Sequence, residues 1–145
     1  MLARLTAVPP KRERKKRRAP EQALQRQVAD YFRWALDPAK VWWTAIGHGG
    51  GGELRGKILK GMGVRAGTPD LLLIYRGVGY FIELKAPSGV VSEAQNEAFR
   101  GIERAGGRIY VCRNLDDVVA SLCRWRIPTR ERKPMDEAIE RAFGA

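Results

Sequence analysis

The segment GTPDLLLIYRGVGYFIELKAPSG, Gly67 to Gly89, decides how this chain folds. Two short apolar runs, Leu71–Tyr75 and Tyr80–Ile82, lie either side of a glycine-containing turn, the pattern of a β-hairpin. Read as a two-residue turn, Gly77-Val78 is of the Gly-X kind that suits type II′ geometry, and it pairs residues whose numbers sum to 155. In that register Asp70 faces Lys85. Glu83 shares a strand face with Lys85 and is the diagonal neighbour of Asp70, with Cα atoms about 7–8 Å apart. Both strands are apolar on both faces, as expected of a sheet interior covered by helices, so the three charges gather at the sheet rim.

Two carboxylates and an amine in that arrangement have a chemical use. Mg²⁺ or Mn²⁺ takes hard oxygen ligands, commonly one or two carboxylates with water and phosphate oxygens, and Asp70 and Glu83 are spaced for one ion. The backbone carbonyl of Leu84 can complete the set. Such an ion lowers the pKa of a bound water and shields a phosphodiester, while Lys85 orients the water or offsets charge in the transition state. A plainer reading stands beside this one: Asp70 opens a strand, and Glu83 and Lys85 form an ordinary salt bridge or guard a sheet edge. On spacing alone the plainer reading is the simpler.

Working outward, Pro20 suits the first turn of a helix, and Leu24, Val28, Tyr31, Phe32, Ala35 and Leu36 recur at helical spacing up to Asp37-Pro38. Val41–Ile46 reads as a strand, Gly47–Glu53 as a glycine-rich loop, and Leu54–Lys60 as a short basic helix. After the hairpin, Ser92 caps a helix with Gln95 reaching back, and that helix runs to Gly106-Gly107. Arg108–Cys112 is a fourth strand, and Asn114 caps a last helix containing Val118, Val119 and Leu122. The order is helix, strand, helix, hairpin, helix, strand, helix, which predicts a three-layer α/β domain. A chain of 145 residues with 44% apolar residues has enough for one core.

The flanks differ from this centre. The net charge of +11 is concentrated early: residues 1–20 hold eight Lys and Arg against Glu13 alone. Lys11–Arg18, KRERKKRR, follows two prolines and lacks an apolar period, so residues 1–19 are expected to form a disordered basic tail whose Lys15, Lys16, Arg17 and Arg18 contact phosphates. A solvated solubility tail or an import signal accounts for the same charge. Residues 20–123 form the expected domain, and 124–145 a basic linker with a short amphipathic helix, in which Met135, Ala138, Ile139, Ala142 and Phe143 make a stripe. Cys112 and Cys123 suit neither a disulfide framework nor a zinc site, and no apolar run is long enough for a membrane span; a reduced, cytoplasmic protein is expected.

Pro69-Asp70 with Glu83-Leu84-Lys85 resembles the signature of the PD-(D/E)XK nuclease superfamily. LKGMGVRAGTPDLLLI (Leu59–Ile74), FIELKAPSGVVSEAQ (Phe81–Gln95) and AGGRIYVCRNLDDV (Ala105–Val118) narrow the likeness to the stand-alone VRR-NUC domains of bacteriophages and bacteria. The resemblance implies a restriction-endonuclease-like core, a mixed four-stranded sheet flanked by helices, and a Mg²⁺- or Mn²⁺-dependent endonuclease. It implies Asp70 and Glu83 as metal ligands, Lys85 as the catalytic lysine, and Glu21 and Gln95 as further catalytic-site positions. Gln25 rivals Glu21 for the helix alignment, and Gln95 is equally a capping residue. The glycine-rich loop IGHGGGGE departs from the family, where an asparagine is common.

The expected substrate is DNA, structured or branched; the alternative is a non-catalytic nucleic-acid-binding module of the same fold, and a third reading is a basic scaffold protein. Arg55, Lys57, Lys60 and Arg65 are candidates to line the DNA path, with a solvated helix face as the alternative. His48, the one histidine, is expected to be a bystander, and it excludes nucleases built on paired histidines. Trp125, between Arg124 and Arg126, is expected to pack on the core edge. Symmetrical cutting of a branched substrate needs two sites, which predicts a homodimer.

Overall fold

The hairpin turns at Arg76 and Gly77, whose φ angles of 48° and 77° are both positive. This is the signature of a type I′ turn, whose twist matches that of the strands it joins. The pairs are Leu71 with Ile82, Leu73 with Tyr80 and Tyr75 with Val78, so partners sum to 153 and the register expected from a Gly77-Val78 turn is corrected by two residues. Carried one step further, the ladder sets Asp70 opposite Glu83 rather than Lys85. A slip of two preserves which face each side chain occupies, and the assignment of all three charges to one face survives.

The computed structural model describes the backbone of residues 11–47 and 53–130 and the side chains from Ala19 onward. His48, the remainder of its glycine loop and the expected C-terminal amphipathic helix lie outside the described residues, as do the side chains of Lys15, Lys16, Arg17 and Arg18. The elements run α1 (Lys11–Ala35), β1 (Val41–Ala45), α2 (Glu53–Gly61), β2 (Leu71–Tyr75), β3 (Val78–Leu84), α3 (Glu93–Arg104), β4 (Arg108–Cys112) and α4 (Leu115–Arg124). The helix expected to begin at Pro20 begins at Lys11, inside the stretch expected to be disordered, and continues through Pro20. Lysine and arginine are good helix formers, and a helix that already carries an apolar stripe further along extends through them at little cost.

The sheet order is β1-β2-β3-β4. The first two pairings are antiparallel, and β3 with β4 is parallel, which makes the mixed four-stranded α/β sheet that was expected. A parallel pair needs a crossover, and α3 supplies it. Capping explains where the crossover helix starts: Ser92 accepts from the Gln95 amide while the Gln95 side chain accepts from the Ser92 amide. Asn114 caps α4 by accepting from the amide of Asp117.

Alternation along the strands divides the sheet into two unlike faces. Val41, Leu71, Leu73, Ile82 and Leu84 pack with Val28 and Phe32 of α1, Leu36 just beyond it, and Val118 and Leu122 of α4 into one core. Trp125 stacks on Tyr110, with ring centroids 4.9 Å apart, and lies against Tyr80, so it closes the core edge. The other face carries Leu72, Ile74, Phe81 and Glu83. Its cover is less complete than the apolar strands suggested: α3 packs on β4, α2 buries none of its residues, and the cross-strand pair Trp42–Ile74 is exposed. Among the described residues no helix is long and apolar enough to cross a membrane.

Candidate active site

Glu83 is the centre of the site. It points away from the core face because it alternates with Ile82 and Leu84, yet only 4% of it is exposed. Its Oε1 accepts a 2.6 Å hydrogen bond from Gln95 Nε2 and lies 3.6 Å from Lys85 Nζ. Gln95 closes the α3 capping box with its oxygen, as expected, and its nitrogen holds Glu83. Asp70 approaches from β2, where its Oδ2 accepts from the Leu84 amide at 2.8 Å. That bond ties the start of β2 to the end of β3 and brings the two carboxylates to one rim.

Glycine makes the approach of Asp70 possible. Gly67 has φ +76°, and a Cβ there would collide with the backbone of Ala94 and Gln95. The loop leading into Asp70 thus lies directly against the first turn of α3, which delivers Gln95. Pro69, also in that loop, is fully buried.

Electrostatics follow from the packing. Burial is the largest influence on Glu83, the Asp70 carboxylate adds to it and Glu21 contributes least; opposed by Lys85, together they push its pKa up to about 7. Glu83 Oε2 is buried with no hydrogen-bond partner among the described residues. A carboxylate oxygen so placed is costly to ionise unless a proton or a cation faces it. This is the environment that a hard divalent cation relieves, and the residues present fit Mg²⁺ or Mn²⁺. Among the described residues no three His, Cys, Asp or Glu side chains converge as a metal-binding group. Two carboxylates with a backbone oxygen and water are a sufficient set for Mg²⁺.

The remaining expected positions are more peripheral. Glu21 Oε1 is 3.4 Å from the amide of Ala86, at the outer limit of a hydrogen bond, so this α1 residue reaches the chain just after Lys85. Arg55, Lys57 and Lys60 on α2 and Arg65 beyond it are all exposed. Sequence reasoning missed Arg113, whose guanidinium holds the turn that follows Lys85; nothing in its local sequence marks it.

The family model of the VRR-NUC domain matches residues 51–115, which include α2, the hairpin, α3 and β4. A solved structure described as a VRR_NUC domain protein is 21% identical, covers 70% of this chain and 84% of its own, and superposes with a TM-score of 0.54, a likeness of fold. A second, described as a VRR_NUC domain, is 20% identical over 72% of this chain and 95% of its own, with a TM-score of 0.48. No curated protein matches the chain. The matched segment contains Asp70, Glu83, Lys85 and Gln95, the residues that meet at the sheet rim, so the likeness to the VRR-NUC domain, a nuclease-type module, falls on the candidate site itself.

Proposed function

We propose that this chain is a divalent-metal-dependent endonuclease that hydrolyses phosphodiester bonds in DNA. The observation that carries the reading is the buried, unpartnered Oε2 of Glu83, set beside Asp70 and Lys85 at the sheet rim. Asp70 and Glu83, with the Leu84 carbonyl, would hold Mg²⁺ or Mn²⁺. When bound, such an ion activates water and neutralises phosphate charge. Gln95 fixes the Glu83 carboxylate through Oε1, which leaves Oε2 without a hydrogen-bond partner. Lys85 places a positive charge beside Glu83, where charge on the scissile phosphate grows. Glu21 steadies the backbone after Lys85, and Arg55, Lys57, Lys60 and Arg65 supply phosphate contacts.

The reading extends to branched DNA as substrate and to a homodimer that presents two sites, both supported by the resemblance to stand-alone VRR-NUC domains. The setting proposed is the cytoplasm, where Cys112 and Cys123 stay reduced. The test is cleavage of labelled linear, flap and four-way substrates with Mg²⁺ or Mn²⁺, beside Asp70→Asn. The amide at position 70 still accepts from Leu84, so the fold is kept while a ligand charge is lost. Cleavage by the wild type and its loss in Asp70→Asn, with DNA binding retained, is the expected outcome. Equal cutting by both would refute the assigned site. A wild type that binds but cuts nothing would favour the non-catalytic module.

A further inference from the structure

Arg113 lies between β4 and α4, and its Nη1 donates to three backbone carbonyls of the turn that follows Lys85: Ala86 at 2.8 Å, Pro87 at 3.3 Å and Gly89 at 2.7 Å. Convergence of three carbonyls on one cationic nitrogen is a specific arrangement, because each acceptor alone would be satisfied by water at this half-exposed site. The arginine is itself anchored. Its backbone amide donates to Asp117 Oδ2 at 2.9 Å, in the first turn of α4, next to the Asn114 cap.

The turn held in this way is folded against the lysine. The Gly89 amide donates to the Ala86 carbonyl at 2.9 Å, which curls the turn back on itself. A Cβ built on Gly89 would lie 3.4 Å from Lys85 Cδ, so the Gly89 backbone borders the lysine's aliphatic stem. On the opposite side the Lys85 amide is fixed to the Cys112 carbonyl at 3.0 Å. The stem therefore runs between a fixed strand end and a turn whose shape is set by Arg113, and its ammonium emerges beside Glu83.

We propose that Arg113 is a positioning residue for Lys85, acting through the Ala86–Gly89 turn. The catalytic part of this inference rests on the nuclease reading; the structural part does not. Arg113 forms no hydrogen bond or ion pair with Glu83 or Lys85 among the described residues, so its removal acts on the lysine only through the turn and affects the chemical step rather than the capture of DNA. A misplacement of about 1 Å in a catalytic group costs up to about 100-fold in rate.

The test uses the full chain with Arg113→Ala and Arg113→Lys. A single nitrogen makes all three bonds, so a lysine ammonium with three protons can replace it in part. Two readouts are taken: the nuclear Overhauser effect between the Lys85 stem and Gly89, and kcat and KM on a labelled branched substrate with Mg²⁺. Arg113→Ala is expected to abolish the Overhauser effect and to lower kcat about 10- to 100-fold with KM within about twofold. Arg113→Lys is expected to restore both toward wild type, and it also serves if the alanine variant fails to fold. An Overhauser effect that persists in Arg113→Ala, or one that disappears while kcat is unchanged, would overturn the proposal. Should the wild type cleave no DNA, the nuclease reading fails, and the Lys85–Gly89 Overhauser effect still decides the positioning.

Discussion

Replacing Glu83 with glutamine tests the electrostatics of the site without any substrate. The carboxyl group is displaced from 4.5 to about 7, first by burial and then by Asp70. A raised pKa means that the native state holds a proton the unfolded chain has released. Glu83 therefore adds stability that is fully present below about pH 4.5 and is lost as pH rises through about 7. At 1.36 kcal/mol for each pH unit of displacement, the loss amounts to roughly 3 kcal/mol. Glutamine has nearly the same shape, can still accept from Gln95 Nε2 and does not titrate. It places an amide where Oε2 stands unpartnered, but that cost of about 1–3 kcal/mol does not vary with pH. The observable is thus the change in the stability difference with pH, and its constant offset is immaterial. In chelator, Glu83→Gln should gain on wild type by roughly 3 kcal/mol between pH 4.5 and pH 8, a relative shift of about 6–12 °C in unfolding midpoint for a domain of this size. Added Mg²⁺ at pH 8 should then stabilise the wild type and leave the variant unmoved, since binding to the native state alone adds stability. Unfolding curves that stay parallel from pH 4.5 to 8 would refute the account of Glu83 as a desolvated, unpartnered carboxyl.

Gly67→Ala should cost more than about 2 kcal/mol, because it combines a positive φ with a backbone collision against Ala94; chemical denaturation measures this, and a loss below about 0.5 kcal/mol would show that the loop can move away from α3. Replacing Arg55, Lys57 and Lys60 together with glutamine should lower the slope of log affinity for duplex DNA against log salt by as much as about 0.9 for each phosphate that these side chains neutralise, whereas an unchanged slope would place α2 off the DNA path. Sedimentation at micromolar concentration should show a dimer, with or without a four-way junction, and a monomer in both conditions would turn the reading toward a nicking or flap-cutting enzyme.

Much of the architecture was legible because it is written in local chemistry. The apolar runs Leu71–Tyr75 and Tyr80–Ile82 around a glycine turn, the Ser92–Gln95 capping box, the Asn114 cap and the helical recurrence from Leu24 to Leu36 each act over a few residues, and the eight elements follow in the expected order. Asp70, Glu83, Lys85 and Gln95 were legible as a candidate site through their motif. What escaped depends on contacts between segments far apart in the chain. The hairpin register is the clearest case: an alternation of period two is unchanged by a slip of two residues, so the pattern could not choose between the partners of Asp70. The positive φ angles at Arg76 and Gly77, with the Asp70–Leu84 bond, made that choice. The extent of α1 escaped for the opposite reason, since a run of Lys and Arg has helix propensity but no period to display it. Arg113 was invisible because its acceptors lie 24–27 residues away and meet it only through the parallel pairing of β3 with β4. By itself the sequence determined which residue types reach the sheet rim, because strand alternation is local. Only the tertiary structure decided that Glu83 is buried, how it is oriented and how strongly it holds a proton, because desolvation is a property of everything packed around a group.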